Sequence, residues 1–109
     1  MHRSLEAGEA IHLDSVSTIA DGLAAPMAGV LNHELLAAYA RGVVLVSDDE
    51  IISAVRLILE RTKLLVEPAG AAGVAALLEG RIPLEPEQPV VAVLSGGNVD
   101  LRLLGTLLT

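Results

Sequence analysis

The stretch Val90-Val91-Ala92-Val93-Leu94-Ser95-Gly96-Gly97-Asn98 decides how the rest of the chain is read. Five apolar residues run into a hydroxyl, two glycines and an asparagine. That is the pattern of a buried strand delivering a flexible turn to the edge of a sheet. In open α/β sheets, ligands lie beyond the carboxyl ends of the strands, where such a turn would stand.

Outward from this stretch, Val43-Val44-Leu45-Val46 also lacks polar alternation and reads as a second strand buried on both faces. Ser47-Asp48-Asp49-Glu50 follows at once. The Ser47 hydroxyl can accept from the Glu50 amide while the Glu50 carboxylate accepts from the Ser47 amide, a capping box that opens a helix. The helix sets Ile51, Ile52, Val55, Ile58, Leu59 and Thr62 on one stripe. Arg56 and Glu60 sit four apart on its other face, a pair worth about 0.2–0.5 kcal/mol. Past Leu64-Leu65-Val66, Pro68 suits the first position of a new helix over residues 68–79. Its first turns are unusually small, and Gly70 and Gly73 each cost about 1 kcal/mol against alanine, so a close neighbour is expected on this surface. Gly80 ends the helix, and residues 82–89, with three prolines and two glutamates, read as a surface linker. Residues 99–108 read as a terminal helix with Leu101, Leu104 and Leu108 on one face.

Toward the N-terminus, residues 2–9 read as helical turns stopped by Gly8, and residues 10–16 alternate weakly, as an edge strand would. Residues 18–23 form a link in which Gly22 is free to take positive φ. Val30, Leu31, Leu35, Ala38 and Tyr39 have helical spacing within residues 27–40, and Gly42 stops that helix. Strands separated by helices imply a parallel sheet with helices packed on it. The expected class is α/β, a three-layer αβα arrangement.

Of the 109 residues, 52% are apolar, yet Tyr39 is the only aromatic, so the core is built from Leu, Val, Ile and Ala. Fourteen acidic residues against seven basic give a formal charge of −7, which repels phosphate backbones; with no stacking platform, nucleic-acid binding is disfavoured. The absence of cysteine removes disulfides and thiolate metal sites. Residues 1–9 cannot form the apolar core of a signal peptide, and no apolar run approaches the ~20 residues of a spanning helix, so a cytoplasmic protein without a membrane partner is expected.

Strands apolar on both faces belong in the middle of a covered sheet. With two such strands and one weak edge, ladder groups stay unpaired and apolar faces stay bare. The mean hydropathy of +0.60 points the same way. The chain is therefore expected to be the tail of a larger domain, or to need a partner that supplies the missing strands.

Taken singly, each candidate site has an ordinary reading beside the functional one. Ser95-Gly96-Gly97-Asn98 could cradle an anion, but it lacks the lysine of a P-loop and the third glycine of a dinucleotide turn, so a plain strand-to-helix turn is the stronger reading. Glu67 could be a catalytic carboxylate, or simply an acid favoured at the positive end of a helix. Asp21-Gly22 is a common turn pair. His2, His12 and His33 are too scattered for a metal pattern; His33-Glu34 begins like a zinc helix, but Ala37 stands where the second histidine would be. Lys63, the only lysine, could form a Schiff base, yet at a helix C-terminus it is better read as a charge complementing the helix dipole.

Together these stretches carry more. Thr18-Ile19-Ala20-Asp21-Gly22-Leu23, Ser47-Asp48-Asp49-Glu50-Ile51, Glu67-Pro68-Ala69-Gly70-Ala71 and Leu94-Ser95-Gly96-Gly97-Asn98-Val99-Asp100 resemble, in order and spacing, the threonine ammonia-lyase (threonine dehydratase) and serine racemase family. These are pyridoxal 5'-phosphate enzymes of the tryptophan-synthase-β fold type, and the resemblance spans nearly the whole chain.

The resemblance implies that Ser95 hydrogen-bonds the pyridine nitrogen of the cofactor. A neutral serine there leaves the nitrogen largely unprotonated, which favours α-proton removal and β-elimination over transamination. It also implies that Gly96 lets the backbone approach the ring, that Gly22 lies beside the ring, and that Glu67 stands near its edge. The substrate implied is L-threonine or L-serine. The family's Schiff-base lysine and its tetraglycine phosphate loop have no counterpart in these 109 residues, nor do the acidic residues that bind a divalent cation in many members. The chain thus resembles the C-terminal third of one catalytic domain, residues 1–109 being an incomplete portion of the fold with no second domain. Two readings follow. In one the chain supplies the pyridine-side wall of an ammonia-lyase or, within the family, a racemase, and is inactive alone. In the other it is a non-catalytic remnant or interaction module. In either, self-association or docking with the missing N-terminal part is expected.

Overall fold

Two central helices, α3 (Asp48–Thr62) and α4 (Pro68–Leu78), pack against each other in a computed structural model that describes all of residues 1–109. Helix α3 forms where the capping box predicts it: the Glu50 amide donates to Ser47 Oγ at 3.3 Å and the Ser47 amide to Glu50 Oε2 at 2.7 Å. It buries Ile51, Ala54, Val55 and Ile58, while Ile52 and Leu59 are half-buried and Thr62 faces solvent. Against this stripe lie Val66 and the small face of α4, with Ala71 and Ala75 fully buried, and Leu104 of α5 (Leu101–Leu108). The apolar stripe of the last helix is narrower than its spacing predicts, since Leu101 is exposed and only Leu104 is fully packed. Arg56 does not pair with Glu60; its Nη2 donates to the Leu108 carbonyl at 3.1 Å and ties α5 to α3.

A second, smaller pair joins α1 (His2–Ala7) and α2 (Val30–Tyr39). His33, the buried residue of α2, places Nε2 3.0 Å from the Ser4 carbonyl, and Ser4 Oγ accepts from the Ile11 amide at 3.0 Å. The apolar positions of α2 point outward instead: Val30, Leu31, Leu35 and Tyr39 are exposed. Between the helices, an isolated antiparallel bridge joins His12 to Met27, the one trace of the weak edge strand.

The parallel sheet expected from the sequence is not formed within this chain. Residues 43–46 and 90–94 are neither helix nor strand, and neither belongs to a ladder. Leu45 is 61% exposed and Val91 86%, where burial on both faces was expected. A strand is held by neighbours that take its amides and carbonyls, and the chain brings none to either segment. The consequence is visible in the surface. A folded monomer of this mass exposes roughly 5,700 Å², whereas this chain exposes 7752 Å². Its shape is a slab of 39 × 39 × 18 Å.

Candidate functional site

Three separated stretches meet at the N-terminus of α4. Pro68 occupies the first helical turn, with Glu67 as N-cap in extended conformation. The Glu67 amide donates to the Gly96 carbonyl at 3.0 Å, fastening the Ser95-Gly96-Gly97 turn across the start of the helix. Gly70 is the contact that makes this approach possible. A β-carbon there would stand 2.9 Å from Gly96 O and 3.0 Å from a Val66 methyl. Gly97 is equally confined, its missing β-carbon lying 2.8 Å from the Leu65 carbonyl oxygen, and the space beside Gly96 is taken by the Glu67 carboxylate. On the opposite flank a β-carbon on Gly22 would stand 3.0 Å from Cβ of Ala69. Gly22 therefore answers a need for space; it does not adopt the positive φ anticipated for it, and lies in a 3₁₀ turn over Asp21–Leu23 in which Asp21 Oδ1 accepts its amide at 2.8 Å.

The small face of α4 is thus half explained. Gly70 has the close neighbour its helix cost called for, but Gly73 meets nothing within 4 Å. It opens onto a cleft of about 460 Å³ between α4 and residues 43–46, lined also by Ala20, Leu23, Ala72 and Ala76.

Ser95 and Gly22 are exposed, while Glu67 and Gly96 are half-buried. The four are brought to one wall, not into an enclosed pocket. The anion-cradle reading of the glycine turn fails on α5: Asp100 Oδ1 accepts from the amides of Arg102 at 2.6 Å and Leu103 at 3.3 Å, so the helix caps itself. Lys63 is the C-cap of α3, with φ 62° and Nζ donating to the Glu60 carbonyl at 2.8 Å. That is a charge on a helix end. Glu50 is held below the usual carboxylate range, first by the Ser47 amide and then by the Arg81 guanidinium; both contacts serve the start of α3.

One residue escaped the sequence reading. Asp48, next to the capping box, accepts from Thr18 Oγ1 at 2.5 Å and from the Ile19 amide at 3.2 Å. It anchors the segment that carries Gly22. The trace of this in the sequence is a second and third acid in a turn that needs one, with Thr18 and Asp48 each inside one of the family-like stretches.

The donor set fits one side of a pyridoxal group and not the other. A neutral hydroxyl on a turn, backbone stripped of β-carbons and a nearby carboxylate suit the ring. An amine poised beside them, or a cationic or glycine-rich loop for a phosphate, is not among the residues that meet here.

Comparison with known proteins gives the chain a family. Residues 1–96 match the family described as "Pyridoxal-phosphate dependent enzyme". The L-threonine ammonia-lyase of Geobacter sulfurreducens is 42% identical over 103 residues, covering 94% of this chain and 25% of the relative. Among solved structures, a threonine deaminase from T.th. superposes with a TM-score of 0.82 at 39% identity, over 91% of this chain and 33% of that one. Maize serine racemase gives 0.84 at 37% identity, over 96% and 33%. The chain spans a quarter to a third of the length of these relatives.

Proposed function

The chain belongs to the pyridoxal-phosphate dependent enzyme family, and we propose from that premise that it forms the pyridine-side wall of the cofactor site in an ammonia-lyase acting on β-hydroxy amino acids. One observation carries the reading: Gly22, Glu67 and the Ser95-Gly96 turn, up to 74 residues apart in sequence, meet around the first turn of α4 with every gap between them closed by a missing β-carbon. The choice of substrate class rests on relatives named for threonine, for L-threo-3-hydroxyaspartate and for phenylserine. L-Threonine and L-serine are the simplest members of that class.

When bound, pyridoxal phosphate supplies an electron sink for loss of the α-proton and the β-hydroxyl. The chain's own residues do the rest of what this wall can do. Ser95 Oγ offers a neutral hydrogen-bond partner to the ring nitrogen, with no charge to hold a proton on that atom. Gly96 and Gly97 let the turn lie close against Leu65 and α4, and the Glu67 amide fastens it there, so the hydroxyl is presented from a tethered backbone. Glu67, positioned by its own amide on Gly96, flanks the ring edge. Residues 1–109 act as the C-terminal portion of one catalytic domain, in which residues 43–46 and 90–94 join a parallel sheet completed by protein outside this chain. The Schiff-base lysine and the phosphate loop belong to that other portion, so the chain alone is inactive.

The exposed apolar surface favours a second reading as well, a self-associating module without chemistry. A chimera separates them. The 103 residues that match the Geobacter enzyme replace the corresponding segment of that enzyme, and cofactor retention and ammonia release are measured with threonine and serine. Retention with activity, weakened by Ser95→Ala and altered in its absorbance spectrum by Ser95→Asp, supports the wall. A folded chimera indifferent to both substitutions overturns it.

A further inference from the structure

The geometry points to Asp48 as a positioning residue for the cofactor wall, an inference that rests on the reading above. Asp48 is the first residue of α3, but the helix does not need it. Ser47 and Glu50 complete the cap between them, and Asp49 and Glu50 already place acids in the first turn. The Asp48 carboxylate instead reaches a segment 30 residues earlier. Oδ1 accepts from the Thr18 hydroxyl and Oδ2 from the Ile19 amide, so both oxygens are used. Thr18 Oγ1 accepts in turn from the Ala20 amide at 3.1 Å. The result is a relay from Ala20 through Thr18 to a full negative charge, and hydrogen bonds ending on a charge are the stronger kind.

What this relay holds is the lead into Gly22. Ala20, 1% exposed, is locked in the core beside α3 and α4. The 3₁₀ turn that follows sets Gly22 on Ala69, one residue from Gly70 and its contact with the Ser95-Gly96 turn. The segment is therefore held at two points, by charge at Thr18-Ile19 and by close packing at Gly22. Releasing the first lets the turn lift from α4 and moves one flank of the wall relative to Ser95.

Hydrogen exchange on the full chain tests the clamp without any cofactor. Asp48→Ala and Thr18→Val are expected to speed exchange of the Ile19 and Ala20 amides about tenfold or more, and Thr18→Ser to restore protection. Asp49→Ala is the control, an acid in the same turn without the contact. Unchanged protection in Asp48→Ala, or equal loss in Asp48→Ala and Asp49→Ala, overturns the inference, the latter because it signals helix fraying. In the chimera, Asp48→Ala is expected to weaken retention of pyridoxal phosphate about five- to tenfold, with Thr18→Val following and Thr18→Ser rescuing. If Ser95→Ala loosens the cofactor and Asp48→Ala does not, the positioning role falls while the wall stands. If neither does, the wall itself falls and the role with it.

Discussion

Glu67 and Gly96 hold each other twice: the Glu67 amide donates to the Gly96 carbonyl at 3.0 Å, and the Glu67 carboxylate fills the space a side chain on residue 96 would need. Gly96→Ala must therefore push that carboxylate aside, at a cost of about 1 kcal/mol. In a Glu67→Ala background every atom in the way is gone, and the same substitution should be close to neutral. A double-mutant cycle by chemical denaturation is expected to give a coupling of about 1 kcal/mol; additive effects would show that the two side-chain positions do not compete.

Gly70 and Gly73 should respond with opposite signs to the same change. Gly70→Ala gains helix propensity but drives a methyl into the backbone of residue 96 and into Val66, for a net loss of about 1–3 kcal/mol. Gly73→Ala meets nothing, and should stabilise the isolated chain by about 1 kcal/mol. Thermal unfolding of the two variants checks both.

Acid should loosen the start of α3 through Glu50. Its folded pKa lies below the unfolded value, lowered chiefly by the Ser47 amide and by Arg81. The stabilisation is thus complete above the ordinary glutamate value of about 4.3, and is lost as pH falls through the lower folded value. Glu50→Gln should flatten this part of the acid limb in a helicity-versus-pH titration, and Arg81→Ala should shift it to higher pH.

Self-association is expected in solution. The roughly 2,000 Å² by which the chain exceeds the surface of a folded monomer is more than the ~800 Å² each partner of a standard interface contributes. Sedimentation velocity should show mass rising with concentration; a stable monomer up to high concentration would contradict it.

Local signals were legible in the sequence and long-range ones were not. Ser47 and Glu50, Pro68, Gly8 and Gly80 all mark helix ends as their residue types predict, because each acts on backbone within a few residues. Three of the four family-like stretches, those holding Gly22, Glu67 to Gly70 and Gly96, lie in contact around the start of α4, and Asp48 of the fourth bonds the segment that leads into Gly22. Arg56 shows the opposite case. A glutamate four residues on offered a local partner, yet its guanidinium bonds the Leu108 carbonyl, a choice only tertiary packing can make. Asp48 stayed hidden because an acid at a helix start already has a sufficient local reason. Residues 43–46 and 90–94 read as strands from composition, but composition records the burial a segment is built for, and neighbours decide whether it gets it.

The slab's thickness bears on the strength of the wall. It is 18 Å thick and buries only 14 of its 109 residues, so it encloses little low-dielectric interior. A hydrogen bond offered by exposed Ser95 competes with water and nets about 0.5–1.5 kcal/mol; beneath a cover that excludes water, leaving it unmade carries the full desolvation penalty. On the function proposed above, covering the apolar faces and gripping the ring are linked equilibria. Whatever shields the slab raises its affinity for the ring, and by reciprocity the ring tightens the slab's hold on its cover by the same factor.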